Sequence, residues 1–193
     1  MRTCQWCPGP LRARAHRHAQ YCSGACRVAA MRARRRSPIP VELRSRRRWV
    51  RHTDDKVPLT TAGRLASSTN ASTWSSWHEA SASPAGVGIG YVLAAGDGVV
   101  CVDLDHCIAD GQVAPWAREL LDRMPGTYVE ISRSGDGLHI FGLGEMARGR
   151  KIRDGERRIE VYGRGRFIAV TGRRLPGRPS RLAPIDLSGV VPE

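Results

Sequence analysis

Three acidic side chains and one histidine carry the chemistry-bearing pattern of this 193-residue chain. In Val99-Val100-Cys101-Val102-Asp103-Leu104-Asp105 an apolar run ends in two carboxylates two residues apart. Side chains alternate faces along a strand, so Asp103 and Asp105 share one face and Leu104 points into the other layer. Adjacent carboxylates repel unless a cation sits between them, and a hard divalent ion is the natural partner. Taken alone, such a pair is as consistent with a capped turn. A third acid, Glu160, interrupts the apolar run Ile159-Glu160-Val161-Tyr162, where a carboxylate is costly to bury without a partner. The segment Ser132-Arg133-Ser134-Gly135-Asp136-Gly137-Leu138-His139 reads as a Ser/Gly turn between two strands. Its amides and hydroxyls can cradle phosphate, and His139 shares a face with Phe141. Arg166 stands at the start of a further strand.

A second constellation lies at the amino terminus. Cys4-Gln5-Trp6-Cys7 and Cys22-Ser23-Gly24-Ala25-Cys26 form a C-x2-C-x14-C-x3-C pattern, the spacing of a structural zinc site whose four thiolates leave no open catalytic position. So short a segment cannot bury enough surface to fold alone, and metal binding supplies the missing free energy. His16 and His18, between the pairs, read as surface residues of a basic loop. The run 27–36 is rich in Ala and Arg and favours helix. Its arginines, Arg27, Arg32, Arg34, Arg35 and Arg36, are placed to meet phosphate. The whole resembles a treble-clef type of zinc finger.

Charge separates the chain into two parts. Residues 1–52 hold fourteen arginines and one acid, Glu42, whereas residues 53–193 hold seventeen basic and seventeen acidic side chains. The net +13 therefore belongs to the first quarter, and a neutral body with a cationic arm reads as facing nucleic acid. No window approaches the roughly 18 consecutive apolar residues of a membrane span, and Met1-Arg2-Thr3-Cys4 does not open a signal peptide. Only Lys56 and Lys151 are lysines, and Lys56 fits a point-charge contact to phosphate.

The elements that must position these groups are short. Apolar runs at residues 87–93, 99–104, 127–131, 138–141, 158–162 and 167–171 predict strands. Pro115 suits a first helical position, with Trp116, Leu120, Leu121 and Met124 on one face of the helix that follows. A shorter helix is expected to carry Trp74 and Trp77. The order argues an α/β sheet with one covered face. Expected boundaries are a zinc-binding module over 1–36, a basic linker over 37–48, the main domain over 49–175 and a Pro-rich tail over 176–193.

In order and spacing these segments resemble the primase-polymerase branch of the archaeo-eukaryotic primase superfamily, notably the bifunctional enzymes of phages and plasmids. The resemblance runs from about residue 49 to 172. It rests on Arg48-Trp49-Val50, Lys56-Val57-Pro58, Ser72-x-Trp74-x-x-Trp77, Gly88-Ile89-Gly90-Tyr91-Val92-Leu93, Val102-Asp103-Leu104-Asp105, Ser134-Gly135-x-Gly137-Leu138-His139, Ile159-Glu160-Val161-Tyr162 and Arg166-Phe167-x-x-Val170-Thr171-Gly172. It implies an RRM-like catalytic core in which Asp103, Asp105 and Glu160 hold two magnesium or manganese ions for in-line phosphoryl transfer. His139, Ser132, Ser134 and the Gly135 amide would hold a nucleoside triphosphate, with Arg166 and Lys56 neutralising its charge. Arg133 stands where relatives commonly have proline, and Gly163 where they often have an acid. The expected activity is DNA-templated nucleotidyl transfer, as primase, primer-extending polymerase or both. The zinc module would grip single-stranded template, a replicative helicase is a candidate partner, and the expected location is the cytoplasm at a nucleoid, phage or plasmid replication site. A non-catalytic DNA- or nucleotide-binding regulator on the same fold and a metal-dependent nuclease are the competing readings.

Overall fold

The computed structural model describes residues 2–7, 9–11, 16–188 and 190, without the side chains of residues 32–36. It divides into two compact units, Met1–Ser37 and Pro38–Glu193. In the first, Thr3 bridges Pro10 and the Cys4 amide donates to the Gly9 carbonyl at 2.9 Å, which folds the first cysteine pair into a tight loop. Helix α1 (Gly24–Arg36) follows the second pair. Ser23 caps it, its hydroxyl accepting from the Cys26 amide at 3.1 Å.

The second unit is sheet-rich with few helices, a mixed α/β arrangement. In chain order it runs α2 (Val41–Arg44), β1 (Trp49–His52), β2 (Pro58–Leu59), α3 (Trp77–Ala82), β3 (Gly88–Leu93), β4 (Val99–Leu104), β5 (Ile108–Ala109), β6 (Gln112–Val113), α4 (Pro115–Arg123), β7 (Tyr128–Ile131), β8 (Leu138–Leu143), β9 (Arg150–Asp154), β10 (Arg157–Tyr162) and β11 (Arg166–Val170). A first sheet has the order β11-β3-β1-β2, and a second has the order β7-β8-β4-β10-β9. Every pairing within them is antiparallel.

Alternation along the second sheet explains the layering. Val102, Leu104, Val129, Leu138, Ile140, Ile159 and Val161 pack with Ala117, Leu120 and Leu121 of α4. Their neighbours Val99, Cys101, Tyr128, Phe141 and Tyr162 pack on Trp49, Tyr91, Leu93, Ile168 and Val170 of the first sheet. One sheet is thus covered by a helix on one side and by another sheet on the other, rather than on a single face. Helix α4 begins at Pro115, where the missing amide costs nothing. Helix α3 is fixed by a capping box between Ser76 and Glu79 and begins at Trp77, so Trp74 lies before it, beyond a short 3-10 turn.

Two segments outside the sheets pack on the body. Residues 38–48 are not a free tether: Leu43 is fully buried, Ile39 is nearly so, and the Trp49 indole donates to the Leu43 carbonyl at 3.2 Å. Residues 176–188 and 190 also join the body. Leu182 enters the core, and Ala183 and Ile185 exchange backbone hydrogen bonds with Leu143 at 2.8 and 3.0 Å. Both segments spread few apolar residues among prolines, too sparsely to show a period. Leu43→Ala is expected to cost about 2–5 kcal/mol in denaturant unfolding, whereas Val41→Ala on the exposed side of the same turn should stay within about 0.5 kcal/mol. Equal small losses would mean that this segment does not belong to the cooperative core.

Candidate active site and cysteine cluster

The register of the second sheet lines up five chemically active side chains. Glu130 on β7 is opposite His139 on β8, His139 is opposite Asp103 on β4, Asp103 is opposite Glu160 on β10, and Glu160 is opposite Lys151 on β9. Directly opposed residues of antiparallel strands project from the same face, with Cβ atoms about 4.5–5.5 Å apart. The two ends of the row differ most, the side chains being 0% exposed at Glu130, 7% at His139, 20% at Asp103, 16% at Glu160 and 54% at Lys151. The row thus begins in the core and ends in solvent.

His139 stands between two acids. Its Nδ1 lies 3.1 Å from Glu130 Oε1, and its Nε2 lies 3.6 Å from Asp103 Oδ1, too far for a hydrogen bond. Burial raises the Asp103 carboxyl above its ordinary range; Asp105 and Glu160 push the same way, against the pull of His139 and Lys56. Asp105, in the turn after β4, is anchored by its amide to the Arg158 carbonyl at 2.9 Å. Glu160 is held differently. Burial alone would raise it, but Lys151 at 2.6 Å, the Tyr162 hydroxyl at 2.6 Å and Arg166 bring it below its ordinary value. Arg166 reaches over from the first sheet, its guanidinium 4.9 Å above the Tyr162 ring centroid and 3.8 Å from Glu160 Oε2.

The Ser/Gly turn packs against the end of β4. A Cβ on Gly137 would come within 2.7 Å of the Leu104 carbonyl, and Gly135 has φ +94°, so glycine is demanded at both positions. Ser132 Oγ accepts from the Gly137 amide at 3.1 Å and contacts Ser134 Oγ at 3.0 Å, while Ser134 donates to Asp136. The Gly135 amide, expected to face phosphate, donates instead to the Ser132 carbonyl at 3.1 Å. Arg173 binds the carbonyls of Ser132 and Arg133, and Arg133 pairs with Asp54 at 2.7 Å. That pair ties the turn to the loop carrying Lys56, which has φ +58° and acts electrostatically on Asp103.

Asp103, Asp105, Glu160, His139, Lys56 and Arg166 thus share one electrostatic neighbourhood. Glu130, Lys151 and Tyr162 belong to it and were not singled out from the sequence. Glu130 had a visible signal: it interrupts Tyr128-Val129-Glu130-Ile131 just as Glu160 interrupts its own strand, and each acid lies two residues from a tyrosine whose hydroxyl it binds.

In the amino-terminal unit, the ligand atoms of Cys4, Cys7, Cys22 and Cys26 lie within 4.8 Å of one another, the only such group among the described residues. The Sγ separations Cys7–Cys22, Cys22–Cys26 and Cys7–Cys26 are 3.5, 3.5 and 3.8 Å, close to the ~3.8 Å edge of a tetrahedron with 2.3 Å zinc–sulfur bonds. Amides of Trp6 and Cys22 donate to Cys4 Sγ at 3.4 and 3.3 Å. Burial would raise the Cys4 thiol, but amide hydrogen bonds bring it down to about 6; bonds to the Cys26 and Cys7 thiols push Cys22 up to about 12. The donor set fits a structural zinc. His16 and His18 are exposed and outside the cluster. Arg27 is exposed on α1, whereas the side chains of Arg32, Arg34, Arg35 and Arg36 lie outside the described residues.

The burial of Asp103 yields a test. Its raised carboxyl means that folding opposes ionisation, so the cost is absent in acid and appears as pH rises through the carboxylate range. Asp103→Asn should therefore raise the melting temperature at neutral pH in magnesium- and manganese-free buffer, with the gain vanishing below the ordinary Asp range. A lowered melting temperature at neutral pH would show that other contacts outweigh burial.

The description "bifunctional DNA primase/polymerase, N-terminal" belongs to the family model that matches residues 19–190. The DNA primase-polymerase of Nitratiruptor phage NrS-1 is 36% identical over 150 residues, covering 72% of this chain and 20% of the phage protein. The chain thus spans about a fifth of that relative's length. Among the described residues no helix is long and apolar enough to cross a membrane. With the match extending over residues 19–190, well over half of the chain, the chain belongs to the bifunctional DNA primase/polymerase N-terminal family.

Proposed function

We propose that this chain is the nucleotidyl-transfer part of a DNA primase-polymerase, extending a primer, starting one, or both, on a single-stranded DNA template. The observation that carries the reading is the sheet row: Asp103 opposite Glu160 and beside His139, with Asp105 two residues on. Hard oxygen donors on adjacent strands, with Asp103 raised by burial and further by Asp105 and Glu160 beside it, fit divalent cations. Magnesium or manganese held by Asp103, Asp105 and Glu160 would supply charge neutralisation at the phosphates and activation of the primer hydroxyl. This chain's own residues do the rest. His139, Ser132 and Ser134, with the Gly135 turn, hold the nucleoside triphosphate, and Lys56 and Arg166 offset its charge.

An RRM-like core is supported by the order β7-β8-β4-β10, in which α4 connects β4 to β7 and β8 runs between them. This is a split βαβ unit, with β9 standing where a second helix would come. In the amino-terminal unit the four cysteines hold structural zinc, and the arginines of α1 (Arg27, Arg32, Arg34, Arg35 and Arg36) meet the template backbone. A replicative helicase at a phage or plasmid replication site is the fitting partner.

Labelled-nucleotide incorporation on single-stranded DNA, with and without primer, tests the reaction. Asp103→Ala and Asp105→Ala should each lower it by at least about 100-fold in magnesium or manganese, the scale of losing one group that stabilises transition-state charge. Wild-type rates in both variants would sink the polymerase reading. Release of short oligonucleotides from the template instead would favour a nuclease. Cys4→Ser with Cys7→Ser should lose the zinc measured by elemental analysis and weaken single-stranded DNA binding. Zinc content equal to wild type would remove the metal from this cluster.

A further inference from the structure

We propose that Glu130 is the positioning residue of His139, fixing which imidazole nitrogen faces the nucleotide. The inference rests on the reading that His139 engages the triphosphate, and adds to it a residue from the buried end of the row. Glu130 is fully buried on β7, and both its oxygens are committed. Oε1 faces His139 Nδ1 and accepts from the Thr171 amide, each at 3.1 Å. Oε2 accepts from the Tyr128 hydroxyl at 2.8 Å and the Gly172 amide at 2.9 Å. A carboxylate this deep is tolerated only when its lone pairs are filled, and here four donors fill them.

The consequence for His139 is geometric. Glu130 can only accept, so Nδ1 must carry a proton, and Nε2 is left as the nitrogen on the side of Asp103. The ring is steadied from beneath by Phe141, edge-on at a centroid distance of 6.4 Å and an interplanar angle of 86°. Among the described residues no other side chain hydrogen-bonds the imidazole: Asp103 Oδ1, at 3.6 Å, is beyond hydrogen-bond range and leaves Nε2 available. A second function is built into the same carboxylate. The amides it binds belong to residues 171 and 172, just past the end of β11, and β11 begins at Arg166. Glu130 therefore fastens the first sheet to the second at the strand whose other end delivers Arg166 to Glu160. Two groups assigned to the triphosphate, one from each sheet, depend on it for placement.

Nitrogen-15 NMR of the wild-type protein, with His139 assigned by loss of its signals in His139→Asn, reads the tautomer directly. Nδ1 should be protonated and slow to exchange. A neutral ring protonated at Nε2, with Nδ1 bare, would overturn the proposal whatever the activity. Glu130→Gln, of nearly equal shape, should raise the KM for ATP and dATP by about 10-fold, the lower end of what losing such an orienting partner costs, with kcat within about 2-fold. Tyr128→Phe is the companion variant, since it loses a bond to the same carboxylate but none to His139. It should lower the melting temperature and leave KM unchanged. An equal rise of KM in both variants would reduce Glu130 to a structural clamp and overturn the positioning role. Unchanged ATP and dATP binding in His139→Asn would instead remove the triphosphate reading, while the wild-type NMR still decides where Glu130 holds the ring. If Glu130→Gln does not fold, that same measurement decides.

Discussion

Everything proposed for the carboxylate row depends on the pairing register of five antiparallel strands. Each strand contributes one member of the line Glu130, His139, Asp103, Glu160, Lys151, and a one-residue slip in any of the first four would replace that member by an apolar neighbour. A slip of β8, for example, would bring Leu138 or Ile140 into the place of His139. The register of β7, β8, β4 and β10 is secured because these strands are buried on both faces: Cys101, Tyr128, Phe141 and Tyr162 are packed on one side, and Val102, Val129, Ile140 and Val161 on the other. Apolar packing thus fixes the placement of the polar row without touching most of it. The electrostatic gradient follows from the same geometry, since the first sheet covers the row at Glu130 and leaves it open at Lys151.

Much of this was legible in the sequence, because the elements nearest the chemistry have clear periods. The strands at 99–104, 138–143 and 157–162 and the helix beginning at Pro115 stand close to where alternation and helix signals put them. Asp103, Asp105, Glu160 and His139 were visible because polar groups interrupt apolar runs. What could not be read was pairing. No local signal says that 49–52 and 166–170 join one sheet while 99–104 and 157–162 join another, since contacts between distant strands leave no trace in either segment alone. Glu130 shows the same limit. Its position inside an apolar strand was evident, but its meaning depends on amides some forty residues away. The Ser/Gly turn shows it again, since the bonds of the Gly135 and Gly137 amides to Ser132 leave no mark in the sequence.

The chain's charge takes on a sharper meaning beside the fold. Its many arginines lie in the amino-terminal arm and in surface pairs, such as the fork from Arg48 to Asp97, where a planar guanidinium suits two carboxylate oxygens. Both lysines of the chain lie by the carboxylates: Lys56 within electrostatic reach of Asp103, and Lys151 on Glu160. A compact ammonium can approach a carboxylate or a phosphate from any direction, which a guanidinium fork does not do as readily. The two lysines thus stand by the carboxylate row, where Arg166 joins them, while the amino-terminal arm is cationic through arginine alone.

The two ends of the body close on each other. Leu182 shares a core with Ile39 and Leu43, its amide lies 3.3 Å from Glu42 Oε1, and residues 183–185 hydrogen-bond to Leu143 at the end of β8. During synthesis, the apolar side chains of 39–49 must wait through some 130 residues of intervening chain for one of their packing partners. A fold closed by so distant a segment forms slowly and exposes an unfinished core meanwhile. The core that backs the carboxylate row is therefore closed only when residues 182–185 have joined the 39–43 segment and the end of β8.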